Sequence, residues 1–366
     1  MKIPVALYAN RAEWKDVTPL EQDDGPAPVV SIQYTAKFVD IMGYFRAVVA
    51  ANERSARALE LTADAISVNG ANYTAWHYRR LCLEALGSDL VTEMAFIDGV
   101  LASTPKNYQV WYHRRVIATR LGETEAALVC GKRELVCTRL VLEGDSKNYH
   151  AWSHRQALLL HFGSAARAPA LWRGELDYVA ELLAADRRNN SAWSHRWFVL
   201  SRGGPPGAAR GATRKQEVAF AFDQLRAARK NESAWNYLRG WIQATDADEL
   251  AALDVRARIE DLDVGEGSAV SSAGGSGAPP VPPAQGAAVP ERSASAPLRA
   301  LLVDVLVREA AGDHAAAPFV RALAVVEHLR TALDVVRAKY WAYYREQLLA
   351  GYVALAAPPA GSAATK

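Results

Sequence analysis

A five-residue pattern returns five times along this chain, and it constrains the fold more than anything else in the sequence. An Asn stands four residues before a Trp in Asn72–Trp76, Asn107–Trp111, Asn148–Trp152, Asn189–Trp193 and Asn231–Trp235, and one or two Arg follow each Trp. The fullest copy reads Lys147-Asn148-Tyr149-His150-Ala151-Trp152-Ser153-His154-Arg155. The tryptophans lie 35, 41, 41 and 42 residues apart. A period of that length marks an array of helical repeats, in which each unit buries its apolar face against its neighbours.

The pattern reads as the start of a helix. Asn caps a helix because its side-chain oxygen accepts from a free N–H of the first turn. The Trp then lies one turn in, as a wedge between repeats, and the following Arg shares its face and can lay its stem on the ring. Repeated Trp and Arg are scaffold on this reading. The positions that vary carry more information. The residue before the Asn is Ala71, Lys106, Lys147, Arg188 and Lys230 in turn, and the residue after it is Tyr73, Tyr108, Tyr149, Asn190 and Glu232. A basic residue ahead of a helix N-terminus adds to a site that already favours anions. In regular stacking these residues form a row of cations with tyrosine hydroxyls beside it, suited to a phosphate or to an acidic partner surface. As single residues they are ordinary solvated helix starts; as a row, both readings stay open.

Composition narrows the function. The chain has 366 residues, half of them hydrophobic, with a net charge of only +2, which argues against a general nucleic-acid binder. No apolar run is long enough to span a bilayer, and Arg11, Glu13 and Asp16 follow the short apolar start too closely for a signal peptide. Three cysteines, Cys82, Cys130 and Cys137, suit a reducing compartment, so a cytoplasmic location is expected. His113, His154 and His195 recur one repeat apart, too far to share a metal at roughly 2 Å, so no metal site is expected within the chain. Neither a Gly-rich phosphate loop nor a nucleophile elbow is present.

In chain order, residues 1–33 are expected to be irregular, with Pro19, Gly25, Pro26 and Pro28 at turns. Residues 34–264 carry a first helix from about Tyr34 to Ala51 and then five helix pairs, the second member of each starting at the Asn pattern. Residues 265–297 turn to Ser, Gly, Ala and Pro, which cannot bury enough surface to offset chain entropy, and read as a disordered insertion. Helical periodicity resumes over 298–356, with a degenerate Trp-containing turn at Lys339–Arg345, and 357–366 read as a frayed tail.

Several runs, in the right order, resemble the α subunit shared by protein farnesyltransferase and protein geranylgeranyltransferase type I. They are Arg11–Trp14, Asp24–Val30, Tyr44–Val48, Asp64–Ile66, Pro105–Trp111, Lys147–Trp152 and the remaining Asn-x-x-x-Trp units. The resemblance implies an all-α fold, a right-handed α-α superhelix of helix-hairpin repeats like those of tetratricopeptide proteins, wrapped around a β subunit. It implies transfer of farnesyl or geranylgeranyl from its diphosphate to the cysteine of a C-terminal Cys-aliphatic-aliphatic-X motif, on proteins such as small GTPases. Zn²⁺ would be held by the β subunit, with Mg²⁺ used in farnesyl transfer, and no nucleic acid or inserted membrane is implied. By motif match Lys147 would reach the diphosphate and assist catalysis. Tyr149, Tyr108, Gln109 and His150 would line the diphosphate and peptide side, and Lys106, Arg188 and Asn190 would touch the β subunit. The β partner, and with it the prenyl length, is not written in this chain.

Two other readings remain open at this stage. One is a helical-repeat adaptor without chemistry, although the spacing departs from a period of about 34 residues. The other is the α subunit of a Rab-type geranylgeranyltransferase, whose repeats are similar but match these runs less well.

Overall fold

The structure, a computed structural model, describes residues 7–30, 32–164, 166–203, 209–245, 252–264, 295–313 and 316–356. Most of the Ser/Gly/Pro-rich stretch, the Pro205-Pro206-Gly207 connection and the 357–366 tail lie outside the described residues. Helices account for the regular structure throughout, and no strand occurs among the described residues.

Helix α1 covers Ala36–Ala50, capped by Thr35, whose hydroxyl accepts from the Phe38 N–H. Five pairs follow: α2 (Ala56–Val68) with α3 (Tyr73–Leu86), α4 (Leu90–Ser103) with α5 (Tyr108–Thr124), and α6 (Ala127–Gly144) with α7 (Tyr149–Phe162). Then come α8 (Glu175–Ala185) with α9 (Asn190–Phe198), and α10 (Ala209–Ala227) with α11 (Glu232–Gln243). The second member of every pair starts right after its Asn, as expected. Each Asn side chain accepts from N–H groups of the first turn, for example Asn148 from His150 and Ala151. Helix α3 ends in a Schellman motif, with Gly87 at φ +58° and the Ser88 N–H bonding back to the Leu83 carbonyl. The C-terminal helices are α12 (Val255–Val264), α13 (Ala296–Asp313), α14 (Ala316–His328) and α15 (Ala338–Ala356). Helix α13 starts two residues ahead of the expected Leu298, because the Ser295 hydroxyl caps it by accepting from the Leu298 N–H at 3.2 Å.

The N-terminal stretch is less irregular than its composition suggests. Two 3₁₀ turns, Tyr8–Asn10 and Ala12–Trp14, bury Tyr8 and Trp14 against Tyr44. Asp40 accepts the Tyr8 N–H and Arg57 pairs with Asp16, which anchors this strap to α1 and α2.

The chain divides into two compact units, Met1–Tyr178 and Val179–Lys366. The first is filled by residues such as Trp76, Ile97, Ile117, Leu142, Leu158 and Phe162. The second has its own core around Trp193, Phe222, Trp235, Leu302, Leu306 and Val326.

Two polar devices repeat inside these cores. In each repeat the Trp indole N–H donates to a carbonyl six residues upstream, in the turn between the paired helices: Gly70, Pro105, Ser146, Arg187 and Arg229. Three of those carbonyls also accept from the Asn side chain of a following repeat, Gly70 from Asn107, Pro105 from Asn148 and Arg187 from Asn231. One oxygen thus ties a Trp of its own repeat to an Asn of another. The second device is a Glu on the first helix of a pair. Glu93, Glu134, Glu175 and Glu217 take bidentate bonds from Arg79, Arg114, Arg155 and Arg196 of the preceding pair. Glu93, Glu134 and Glu217 accept in addition from His113, His154 and Tyr237 of their own pair. Such pairs stand in the interior only because every charge is matched and hydrogen-bonded.

The Arg heads therefore do not rest on the repeat tryptophans. Arg79, Arg155 and Arg196 stack over Phe96, Tyr178 and Phe220, three residues beyond the Glu they bind, at 3.8, 4.4 and 4.0 Å from the ring centres.

Candidate functional site

The N-termini of α5 and α7 lie side by side because Asn148 bonds the Pro105 carbonyl. That contact sets the varied positions of two repeats against each other. Nζ of Lys106 stands 2.9 Å from Oδ2 of Asp145, and Oδ1 of Asp145 accepts the Lys147 backbone N–H at 3.1 Å. The Tyr108 ring meets His150 edge-on at 4.2 Å, and Tyr149 meets the same imidazole at 5.6 Å. His150 also hydrogen-bonds the Lys106 backbone.

Of the residues singled out in the sequence, the structure gathers Tyr108, Tyr149 and His150 into one aromatic group with Lys106 beside it. Lys147 is exposed one residue ahead of the Asn148 cap, and Gln109 is half-buried on the first turn of α5. Tyr73, Tyr108 and Tyr149 are 71%, 66% and 67% exposed, so three phenol rings at equivalent helix starts stand open to solvent. Arg188 and Asn190 belong to the second unit, where both are exposed; Asn190 edges a cavity of about 290 Å³ with Trp193, Trp197 and Tyr237.

Electrostatics fit an anion. The hydrogen bond from Lys106, with the Lys147 N–H and the nearby ammoniums, holds the Asp145 carboxyl below its usual range. Burial lowers the His150 pKa, with the bond to the Lys106 backbone opposing, so the imidazole is neutral at pH 7. What remains is ammonium, phenol and neutral imidazole at the positive dipole ends of two helices, a set that binds phosphate oxygens and can donate to them. Among the described residues no group of three or more His, Cys, Asp or Glu is placed to hold a metal ion. His113 and His154 are committed to Glu93 and Glu134. No described helix is long and apolar enough to cross a membrane.

Asp145 was not singled out by the sequence reading, yet it connects the two lysine-bearing segments. Its signal was present, in that it stands three residues before the Asn cap where the turn needs an acceptor for a following N–H.

Comparison with known proteins bears on this arrangement. The family model described as protein prenyltransferase alpha subunit repeat matches residues 55–86, 90–121, 132–162, 172–203 and 214–245. Similar proteins from Pisum sativum, Dictyostelium discoideum and Schizosaccharomyces pombe are each named protein farnesyltransferase/geranylgeranyltransferase type-1 subunit alpha. The chain is 54% identical to the first over 99 residues, 46% to the second over 86 and 40% to the third over 95. Those stretches are 27%, 24% and 26% of this chain and 29%, 27% and 32% of the relatives, so under a third of each relative is matched. In fold, the chain is similar to a solved structure described as Candida albicans protein geranylgeranyltransferase-I complexed with GGPP. The TM-score is 0.70 at 23% identity, covering 91% of this chain and 97% of that one.

Proposed function

We propose that this chain, whose five repeats match the protein prenyltransferase alpha subunit repeat model, is the α subunit of a heterodimeric enzyme that prenylates C-terminal Cys-aliphatic-aliphatic-X motifs. The substrates are farnesyl or geranylgeranyl diphosphate and the thiol of the acceptor cysteine. The thiolate sulfur bonds to C1 of the prenyl chain while the C1–O bond breaks. The diphosphate leaves with the electron pair, and the thiol proton passes to solvent. The observation that carries this reading is the group at the N-termini of α5 and α7, with Lys106, Lys147, Tyr108 and Tyr149 exposed and Asp145 and His150 half-buried among them.

This chain's part is to meet the negative charge that grows on the departing diphosphate. Lys147 is the residue assigned to that charge, with the Tyr149 hydroxyl beside it as a donor. Lys106 is the same position one repeat earlier, 72% exposed on its side chain and steadied by Asp145, so it flanks the same anion. Tyr108, Gln109 and His150 form the edge that faces the acceptor peptide. A Zn²⁺ that activates the thiol would be held by the β subunit, and any Mg²⁺ dependence would follow from that partner.

The test is a preparation of the chain with its co-purifying subunit, assayed with labelled farnesyl and geranylgeranyl diphosphates and short Cys-aliphatic-aliphatic-X peptides. Transfer with a stoichiometric second chain is expected. Lys147→Ala is expected to assemble normally and to slow the single-turnover step roughly ten-fold or more, the scale of one lost charge contact to a leaving group. An unchanged single-turnover rate removes Lys147 from the chemistry, and Lys106→Ala in the same assay decides whether that role belongs one repeat earlier. A partner-free preparation with no transfer overturns the subunit reading itself.

A further inference from the structure

The turn leading into each repeated helix has the same backbone in all five repeats. The N–H of the capping Asn bonds the carbonyl three residues upstream, at Asn69, Thr104, Asp145, Asp186 and Ala228, at 2.9–3.1 Å. That turn asks little of its first side chain. An acceptor for the N–H two residues on is useful there. Asn69 supplies one without charge, taking the Ala71 N–H at 3.2 Å, and Ala228 has no side-chain acceptor to offer. The turn thus forms around a neutral residue, and the negative charge of Asp145 goes beyond what the local structure needs.

That charge sits within the anion site. Asp145 takes the Lys147 N–H at 3.1 Å with Oδ1 and meets Nζ of Lys106 at 2.9 Å with Oδ2. The Lys106 hydrogen bond holds the carboxyl below its usual range, so it is ionised at pH 7. The Lys106 and Asp145 side chains stay 72% and 37% exposed, and an ion pair so open adds little to stability. Its effect falls on the charge of the site. Two ammoniums, Lys106 and Lys147, and one carboxylate leave a single net positive charge at the N-termini of α5 and α7.

We infer that Asp145 is a counter-charge that limits how tightly this site holds a diphosphate, because it repels the anion and keeps the Lys106 ammonium in an ion pair. The inference rests on the diphosphate reading of the site and adds to it a residue that opposes binding. Attraction that acts equally on the bound substrate and on the departing diphosphate adds nothing to the chemical step. A carboxylate that weakens such attraction favours release of the product.

The test is calorimetric titration of the full chain, in the assembly in which it purifies, with inorganic diphosphate. Asp145→Asn keeps an acceptor for the Lys147 N–H, as Asn69 does for Ala71, and loses only the charge. It is expected to tighten binding about three-fold or more, the scale of removing one like charge a few ångströms from an anion in a solvated site. The gain should shrink as salt is added. Lys106→Ala leaves the carboxylate unpaired and should weaken binding by a similar factor. The double variant Asp145→Asn/Lys106→Ala should return close to the parent, and Asp145→Glu, which keeps the charge, should show no tightening. A merely structural Asp145 predicts the opposite sign, since a loosened turn would weaken binding in Asp145→Asn. Unchanged or weaker binding in Asp145→Asn, or no binding by either protein, overturns the inference. The titration needs no turnover. Tightening in a preparation without transferase activity therefore upholds the counter-charge and discards the transferase reading. Prenyl transfer with unchanged diphosphate affinity discards the counter-charge alone.

Discussion

Glu134 shows most directly how individual residues hold this chain together. It is fully buried, takes two bonds from Arg114 and one from His154, and has no apolar substitute that could serve both partners. Glu134→Ala leaves the buried Arg114 guanidinium with only the largely exposed Asp98 as counter-ion and is expected to cost about 3–5 kcal/mol, read from denaturant midpoints at constant slope. The same clamps set a pH dependence. Burial would raise the Glu134 pKa, but the His154 bond and the Arg114 charge outweigh it and hold it below the ordinary value. Burial lowers His113 and His154, against the opposing pull of Glu93 and Glu134. Both kinds of group are depressed in the folded chain, so as pH falls the unfolded chain takes up protons first. Stability is then full above about pH 6.5, the unfolded His value, and declines below it, with the Glu contribution lost further down, below about pH 4.3. A denaturation midpoint that stays flat from pH 7 to 5 would contradict this, and His154→Gln should flatten the upper part of the decline. None of it was read from the sequence, which placed the Arg on the repeat Trp because the two share a helix face. The partner Glu sits on another helix, 14 to 21 residues away, outside any local pattern. A signal did exist: Glu93, Glu134, Glu175 and Glu217 each stand fourteen residues before the Asn of their own repeat.

At the scale of elements, what was legible was what is local. The Asn caps, the paired helices and their order follow from side chains acting within one turn, and the structure has them where the spacing put them. Close packing between helices was not legible, and Gly122 shows why. Helix propensity alone favours Ala over Gly by about 1 kcal/mol in a helix interior. A Cβ at Gly122 in α5 would clash with Cε1 of Phe162 in α7, a fully buried ring. Overpacking of that kind costs roughly 1–3 kcal/mol, so Gly122→Ala is expected to destabilise despite the better propensity. The double variant Gly122→Ala/Phe162→Leu should recover part of the loss, which a double-mutant cycle on thermal or denaturant midpoints would measure. Asn148→Ala, which removes a cap and the bond to Pro105, is expected to lower stability by about 1 kcal/mol or more. It should also disturb the Tyr108–His150 contact, visible as a change in the His150 titration by NMR.

At the scale of the whole molecule, repetition made the architecture readable and also hid its exceptions. A five-fold pattern announces a helical array at once, but the Glu-x-x-aromatic rule, kept by Phe96, Tyr178 and Phe220 and broken at Cys137 after Glu134, becomes visible only when the Arg partners are seen. The same repetition limits how far a perturbation spreads, because in such an array stability is a sum of unit terms and nearest-neighbour interfaces. Glu217 clamps Arg196 of α9 and Tyr237 of α11 within the Val179–Lys366 unit, as Glu134 clamps Arg114 and His154 within Met1–Tyr178. Glu217→Ala should therefore speed amide exchange in α9, α10 and α11 by a hundred-fold or more while leaving α2 to α5 within a few-fold of the parent. Glu134→Ala should do the reverse, loosening α5 to α7 and sparing α10 to α13. Hydrogen exchange read by mass spectrometry over those peptides decides the matter. Uniform loss of protection in both variants would mean that the chain opens as one cooperative body, and that the clamps stabilise the whole rather than their own neighbourhood.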